Sequence, residues 1–239
     1  MSSILLPDEK PFGRRLIFFL AMEEYVAAHL DELLPAEEDA AFFLWQSRPT
    51  VIIGKNQDLA AEVNLPWCRE HGVEVYRRKS GGGCVYSDEG NLMVSCVMRE
   101  THAQRAFSAY LARLVDCLHA LGLPAVSSSH NDVLVGERKV SGNACQALHD
   151  ATIVHGTLLW NSNMDHLTAA ITPSEQKLAK HAVQSVRQRV TNLSELGITD
   201  LQRLCSHLTS YFSDGAAPVL LSPADIMRIE QIEQTYLTE

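Results

Sequence analysis

Strand patterns dominate the first two-thirds of the chain and helical patterns the last third, and this order constrains the fold most. The run Leu92–Met98 is almost continuously apolar, which favours a strand at the centre of a sheet. Apolar residues from Phe107 to Leu121 instead recur at helical spacing, and the pattern ends at Gly122. Segregation of this kind predicts an α+β fold. It disfavours a doubly wound nucleotide-binding fold, in which strands and helices alternate.

Shorter signals predict the remaining elements. Two extended runs between Ala41 and Gly54 predict a hairpin, and Gly136-Glu137 predicts a tighter hairpin with a type II′ turn. Ser222 stands where a helix cap is expected, directly before Pro223. Further helices are predicted over Leu20–Leu33, Asp165–Ile171, Ser174–His181 and Thr199–Phe212, and further strands around Val73–Tyr76 and over Ala151–Trp160.

Composition excludes several classes of protein. The chain has 239 residues, 46% hydrophobic and 21% charged, so we expect one domain spanning residues 1–239. A formal charge of -9 leaves no overall positive field for a nucleic acid. The chain start lacks a secretory signal, and no apolar run reaches the roughly 18 residues of a membrane span, so we expect a cytoplasmic protein without membrane partners. Six scattered cysteines form no Cys-x-x-Cys pair, which argues against a zinc site or a disulfide framework.

A basic, glycine-rich segment is the first candidate for chemistry. Gly81–Gly83 directly follow Arg77, Arg78 and Lys79. Glycine lets the backbone approach a ligand closely, and the cations supply counter-charge for phosphate. We therefore predict an anion-binding turn, with a flexible, solvated basic turn as the alternative. The Walker loop and the Gly-x-Gly-x-x-Gly fingerprint are both absent.

Three further segments carry candidate functional groups. Lys139 lies on the predicted tight hairpin, between Asn131-Asp132 and Ser141–Ala144, where it could hold a phosphate as a point charge. His155-Gly156-Thr157 interrupts an apolar strand, and its glycine permits close approach of a ligand. Ser185–Leu193 alternates arginines with Val and Gln residues. The ordinary alternatives are a surface lysine, a satisfied core histidine and solvated arginines.

Taken together, the order and spacing of these segments strongly resemble the lipoate-protein ligase family. The resemblance also takes in Ala21–Tyr25, the strand around Trp45, Gly54–Gln57 and Asp88 with Gly90–Leu92, and it covers about residues 16–196. It implies a biotin/lipoate ligase-like fold, with a mixed sheet, helices on one side of it and a smaller sheet beside it.

The resemblance also implies a two-step reaction. Lipoate would attack the α-phosphate of ATP to give lipoyl-adenylate and pyrophosphate, with Mg²⁺ as cofactor. A lysine of a lipoyl carrier domain, of the 2-oxoacid dehydrogenase E2 or glycine cleavage H protein type, would then attack the mixed anhydride. The products would be the lipoyl-lysine amide and AMP.

Residue roles follow from the same resemblance. Lys139 would be the catalytic residue, and Asp132 would meet phosphate, magnesium or the incoming amine. Trp45 and the strand Leu92–Val97 would form an apolar tunnel for the lipoyl tail. The residues implied to bind substrate or adenylate are Trp45, Arg77, Ser80, Gly81, Gly82, Gly83, Cys84, Val85, Tyr86, Asn131, Asp132, Ser141, Gly142, His155, Gly156 and Thr157.

The chain departs from the family pattern in two respects. Ser87 stands where family ligases commonly carry a histidine, and Cys84 where they carry an alanine. Serine can donate a hydrogen bond but cannot carry positive charge. Many ligases also have a small C-terminal domain, which we expect to be absent from residues 1–239 and supplied by a separate accessory chain.

Two other functions remain open at this stage. An octanoyl or lipoyl transferase of the same fold would need a nucleophilic cysteine just before the His-Gly strand or the hairpin, and neither place has one. Cys84 and Cys145 do lie inside motifs. A non-catalytic protein that binds lipoate or a carrier domain would not need the phosphate-directed Lys139.

Overall fold

An eight-stranded mixed sheet forms the centre of the computed structural model, which describes residues 1–7, 14–128, 131–171 and 189–237. From one edge to the other, the strands are β11 (Val219–Leu220), β1 (Ser2–Leu5), β2 (Ala40–Trp45), β6 (Asn91–Met98), β10 (Ala151–Leu159), β9 (Arg138–Leu148), β8 (Asp132–Val135) and β7 (Ala125–Ser127). Strand β1 is parallel to both of its neighbours, whereas the other pairs are antiparallel. The apolar run Leu92–Met98 is confirmed as a central strand.

Helices pack on both faces of this sheet, so the expected one-sided arrangement is wrong. Consecutive strand residues point to opposite faces. Phe43 packs with the cluster that includes α1 and α8, whereas Phe42 packs with the cluster that includes α5 and α7. The helices of the described residues are α1 (Leu16–Ala28), α2 (Leu30–Leu33), α3 (Leu59–Glu62), α4 (Leu65–Glu70), α5 (Ala103–Ala120), α6 (Met164–Ala170), α7 (Leu201–Ser213) and α8 (Pro223–Leu237), with a short 3₁₀ helix at Leu193–Leu196.

A three-stranded sheet lies beside the large one. It consists of β4 (Glu74–Arg77), β3 (Thr50–Ile53) and β5 (Val85–Ser87), with β3 in the middle. The predicted hairpin between Ala41 and Gly54 is therefore wrong. Both edges of β2 are already occupied by β1 and β6, so the chain crosses after β2 and continues as β3 in the small sheet.

The tight hairpin and the last helix cap form as predicted. Strands β8 and β9 are joined by Gly136-Glu137, and Gly136 has a φ of 63°, which a type II′ turn requires at its first position. The Ser222 hydroxyl accepts a hydrogen bond from the Asp225 amide at 3.3 Å, and the Asp225 carboxylate accepts one from the Ser222 amide at 2.7 Å. The helix predicted over Ser174–His181 lies outside the described residues.

The described helices are also informative about membranes. None of the helices in the four described ranges is long and apolar enough to cross a membrane. The longest of them, α5, carries an apolar face that packs against β10, β9 and α7.

Candidate active site

A cavity of about 350 Å³ opens between the large and the small sheet. Its apolar lining is drawn from one contiguous cluster that contains α1 and the strands β2, β3, β5 and β6. Its polar lining comes from the turn after β4, from the β8–β9 hairpin with the residue before it, and from the middle of β10. The apolar residues are Leu16, Leu20, Trp45, Ile52, Val85 and Met93; the others are Arg78, Gly82, Gly83, Cys84, Asn131, Asp132, Lys139, Gly142, Asn143, Ala144, His155, Gly156 and Thr157.

The glycine turn, residues Ser80–Gly83, is held on its buried side by the Arg78 side chain. Arg78 Nη2 donates to the carbonyls of Gly81 at 2.7 Å and Gly83 at 2.8 Å, and Nε donates to Ser80 Oγ at 3.1 Å. Burial lowers the pKa of the Arg78 guanidinium from its ordinary value. The turn therefore owes its shape to a side chain, because three consecutive glycines restrict the backbone very little.

Arg77 points away from the cavity. Neighbouring residues of a strand alternate in direction, and Arg77 Nη1 donates to the carbonyls of Gly54 at 3.0 Å, Lys55 at 3.1 Å and Gln57 at 2.8 Å. Arg77 is therefore placed outside the cavity lining, and its expected part in substrate binding stays a prediction. Arg77 instead fixes the loop that packs behind the glycine turn.

Lys139 projects from the hairpin into the polar part of the cavity. Its Nζ lies 2.8 Å from Asp132 Oδ1, and both side chains are partly exposed, at 34% and 27%. An ion pair this exposed to water is weak, so an anionic ligand can displace the carboxylate from the ammonium. A Cβ at Gly142 would lie 2.5 Å from Lys139 Nζ, so a side chain there would displace the ammonium from this position.

Asn131, which precedes β8, itself adopts an unusual backbone conformation. Its φ of 66° lies in the left-handed region, which asparagine tolerates better than most residues. The Asn131 carbonyl accepts hydrogen bonds from the Asn143 amide at 3.1 Å and from Asn143 Nδ2 at 3.0 Å. This pair of bonds fixes Asn131 and Asp132 beside Lys139.

A chain of buried polar groups connects the glycine turn to the apolar wall. His155 Nδ1 lies 2.8 Å from Glu23 Oε2, and its Nε2 lies 3.1 Å from Ser80 Oγ. The neutral tautomer with its proton on Nδ1 suits the Glu23 carboxylate and lets Nε2 accept from the Ser80 hydroxyl. Ser95 Oγ donates to Glu23 Oε1 at 2.6 Å and accepts from Trp45 Nε1 at 2.8 Å. Ser80 and Trp45 are thus linked through a single buried carboxylate.

Not every residue implied by the sequence lines the cavity. Those that line it are Trp45, Gly82, Gly83, Cys84, Val85, Asn131, Asp132, Lys139, Gly142, His155, Gly156 and Thr157. Those that do not are Arg77, Ser80, Gly81, Tyr86 and Ser141. Tyr86 follows Val85 on β5 and therefore points to the opposite face, into the core of the small sheet. Ser141 Oγ donates to Asn143 Oδ1 at 3.1 Å and supports the hairpin.

Several lining residues were not singled out from the sequence. Leu16, Leu20 and Ile52 look like ordinary core residues, since nothing in their spacing marks a cavity. Glu23, which supports the lining, could have been recognised from the sequence, because it is a charged residue among the buried positions of an almost entirely apolar helix. Residues 185–188 of the predicted Ser185–Leu193 element lie outside the described ranges.

The two departures from the family pattern have different surroundings. Ser87 is fully buried and accepts a hydrogen bond from Ser47 Oγ at 3.0 Å, behind the cavity. Cys84 lines the cavity, and burial raises the pKa of its thiol to about 12. A thiol with this pKa is almost wholly protonated at neutral pH and is a poor nucleophile.

Metal ligands are sparse around the cavity. Within the part of the chain that the structure describes, no group of three His, Cys, Asp or Glu side chains could hold an ion by itself. Among the described residues that line the cavity, Asp132 is the single carboxylate. This arrangement fits Mg²⁺ only when phosphate oxygens supply most of its ligands, which is how that ion is commonly bound.

The variant Gly54→Ala tests how closely the loop at Gly54 packs against the glycine turn. The Cβ of Gly54→Ala would lie 2.1 Å from the Gly82 carbonyl oxygen, so the turn must shift. We expect a loss of about 1–3 kcal/mol in the free energy of unfolding, measured with urea. Gly81→Ala adds the same methyl group where nothing lies within 4 Å and should leave this free energy nearly unchanged. Equal losses in both variants would contradict the packing argument.

A family model and a curated relative assign the chain to the same family. Residues 17–213 match the family described as the lipoyl protein ligase A/B catalytic domain. A curated relative, the lipoate-protein ligase LplJ of Bacillus subtilis, is 38% identical over 177 residues, which are 74% of this chain and 52% of that protein. The chain thus spans about half the length of this relative.

Solved structures share the fold. A bipartite lipoate-protein ligase of Thermoplasma acidophilum, studied with its E2 lipoyl domain, superimposes with a TM-score of 0.83 at 24% identity, covering 100% of this chain and 94% of that one. Lipoate-protein ligase A bound with ATP gives a TM-score of 0.82 at 23% identity, covering 100% and 96%. The predicted α+β fold with a mixed sheet and a smaller sheet is confirmed.

Proposed function

Because this chain belongs to the lipoyl protein ligase A/B catalytic domain family, we propose that it joins lipoate to carrier proteins at the expense of ATP. One observation carries the proposal. A single cavity combines an apolar wall, suited to the lipoyl tail, with a glycine turn and a lysine ammonium, suited to a phosphate. An acyl-adenylate contains these two parts joined by one anhydride bond.

In the proposed first step, a carboxylate oxygen of lipoate attacks the α-phosphorus of ATP. A phosphorus–oxygen bond forms, the bond to the β-phosphate oxygen breaks, and pyrophosphate leaves with its electron pair. Lys139 would counter the charge that develops on the α-phosphate oxygens. Its present partner, Asp132, would be displaced from the ammonium by the phosphate.

In the proposed second step, the neutral amine of a carrier lysine attacks the acyl carbon of lipoyl-adenylate. The carbon–nitrogen bond forms, the bond from the acyl carbon to the phosphate oxygen breaks so that AMP leaves with the electron pair, and the nitrogen releases a proton to solvent. Lys139 would stay with the phosphate as it becomes part of the leaving group, and the released Asp132 carboxylate would attract the incoming amine. The Thr157 hydroxyl, which lies 3.1 Å from the Gly142 amide, supports the backbone beside Lys139.

Mg²⁺ fits the proposal as a companion of ATP. It would neutralise phosphate charge, with Asp132 as the residue of this chain placed to contribute an oxygen. Once phosphate has displaced Asp132 from Lys139, the freed carboxylate would be available to Mg²⁺, and phosphate oxygens would supply most of its other ligands.

Partners are proposed by the same reasoning. We propose lipoyl carrier domains, of the E2 or H protein type, as the acceptors, and a separate accessory chain that assists the first step. The archaeal neighbour supports both, since it is described as bipartite and was studied with its E2 lipoyl domain. A cytoplasmic location stays a prediction.

A cysteine-dependent acyl transferase of the same fold is the closest alternative. Cys84 lines the cavity, but burial raises its pKa to about 12, and burial also raises the pKa of Cys145. We expect Cys84→Ser and Cys145→Ser each to retain lipoate ligation within about threefold, because neither thiol is activated for attack. Loss of transfer in either variant, measured without ATP from an acylated carrier, would favour the transferase.

The proposed function is tested by pyrophosphate release and by the mass of the carrier. Purified chain, lipoate, ATP with Mg²⁺ and a lipoyl domain should release pyrophosphate and yield a lipoylated domain, with and without a candidate accessory chain. Supplying preformed lipoyl-adenylate separates the second step from the first. Binding of lipoate without either reaction would favour a non-catalytic binding protein.

A further inference from the structure

Helix α8, which lies outside the matched family region, contacts Lys79, the residue directly before the glycine turn. The family match ends at residue 213, whereas α8 spans Pro223–Leu237. Ile226, Ile229 and Tyr236 of this helix are buried in the same cluster as α1 and Trp45. Helix α8 therefore belongs to the core that carries the apolar wall of the cavity.

Lys79, the residue directly before the glycine turn, is held by this helix. Its Nζ lies 2.8 Å from Glu24 Oε1, donates to Thr235 Oγ1 at 3.2 Å and sits 4.4 Å from the centre of the Tyr236 ring. The Tyr236 hydroxyl in turn donates to Glu24. Lys79 thus does not provide counter-charge inside the cavity, as the basic run had suggested. The side chain instead joins the turn to α1 and α8.

Three consecutive residues of α1 connect these parts. Glu23 binds His155, which binds Ser80 of the glycine turn. Glu24 binds Lys79 and Tyr236, and the Tyr25 hydroxyl donates to Asp225 in the first turn of α8. Helix α8 is therefore attached to α1 at both of its ends, and α1 is attached to Lys79 directly and to Ser80 of the turn through His155.

The glycine turn depends on such attachments for its position. Gly82 has a φ of 96°, and Gly81 and Gly83 have no side chains to anchor them. Arg78 holds the turn from the buried side and Lys79 from the outer side. A shift of about 1 Å in a substrate-positioning group can lower the rate about a hundredfold. The outer contact should therefore influence how the turn receives a ligand.

We propose that α8 positions the glycine turn for its anionic ligand, through Tyr236 and Lys79 as positioning residues. The identity of that ligand as an adenylate rests on the proposed function. The Glu24–Lys79 pair is 15% and 32% exposed, respectively, and the Tyr236 hydroxyl and ring both favour it, so the contact is a small network rather than an isolated surface pair.

Tyr236→Phe is the sharpest test, since it deletes the hydroxyl that binds Glu24 but keeps the ring beneath Lys79. The chain has 13 glycines, and ¹⁵N-glycine labelling makes their amide resonances visible. In Tyr236→Phe the resonances of Gly81, Gly82 and Gly83 should shift or broaden. Those of Gly122 and Gly197, away from the turn, should not. Tyr211→Phe on α7 is the matched control and should leave all of them in place.

Activity gives a second readout. Tyr236→Phe, which loses one hydrogen bond of the network, should raise KM for ATP about three- to tenfold and change kcat less than about twofold. Lys79→Met should act in the same direction, and Lys79→Arg, which keeps the charge, should restore KM to within about twofold of the natural chain. Because both residues act through one network, the double variant Tyr236→Phe/Lys79→Met should be no worse than Lys79→Met alone.

Several outcomes would overturn the proposal. Unchanged resonances of Gly81–Gly83 in both Tyr236→Phe and Lys79→Met would do so. Additive effects in the double variant, or shifts spread over all glycines together with lower stability, would indicate a general structural role for α8. A natural chain that shows no ligation would refute the proposed function, whereas the glycine resonances would still decide whether α8 positions the turn.

Discussion

Lys139→Ala is expected to reduce the proposed lipoate ligation about 100- to 1,000-fold, because it removes the ammonium that would stabilise charge on the α-phosphate in both steps. Pyrophosphate release from lipoate and ATP, and transfer from preformed lipoyl-adenylate, should both fall. The free energy of unfolding should change by less than about 1 kcal/mol, since the ion pair with Asp132 is partly exposed.

Two variants of the same hairpin sharpen this test. Lys139→Arg keeps the charge but replaces the compact ammonium by a larger, planar guanidinium. The Lys139 ammonium lies close against Gly142, so the larger group should not fit in the same position and little activity should return. Arg138→Ala removes an adjacent cation that is 45% exposed and paired with Glu195, and it should retain activity. Equal losses in Arg138→Ala and Lys139→Ala would point to a general electrostatic effect of the hairpin and would refute a specific role for Lys139.

Glu23→Ala is expected to cause the largest loss of stability, about 3–5 kcal/mol in the free energy of unfolding. Glu23 is 1% exposed and accepts hydrogen bonds from His155 and Ser95. Its removal leaves both donors buried without their acceptor and opens a void between α1 and β6. Urea unfolding followed by circular dichroism measures the loss.

Conservative and exposed substitutions separate the possible causes. Glu23→Gln keeps a side-chain oxygen that can still accept from one of the two donors, so a smaller loss is expected. Glu32→Ala removes an exposed glutamate from the neighbouring α2 and should be nearly neutral. If Glu23→Ala also proved neutral, the buried network would not contribute to stability, and its assignment to the site would have to be abandoned.

The elements that periodicity or turn chemistry specifies locally were predictable from the sequence. Strand β6, helix α5, the Gly136-Glu137 turn and the Ser222 cap each rest on a pattern confined to a few neighbouring residues. Pairing between distant strands has no such local signature. The run from Ala41 to Gly54 shows two strands and a turn, but only the occupied edges of β2 reveal that they enter different sheets.

The site was predictable as a set of motifs but not as a set of side-chain directions. Lys139, Asn131 and His155 converge on one cavity as the motifs implied. The opposite orientations of Arg77 and Arg78 follow from strand alternation, yet the register that decides which of them faces inward is set by the pairing of β4 with β3. The role of Glu23 depends on partners more than 70 residues away along the chain.

The passage of the chain from β2 in one sheet to β3 in the other has a thermodynamic consequence. The cavity is bounded by both sheets, so a ligand that fills it would bind only when both are folded in place. Ligand at about 100 times its Kd would then add about 2.7 kcal/mol to the stability of the two sheets together. Substrate binding would thus make the large and the small sheet unfold together in one cooperative thermal transition.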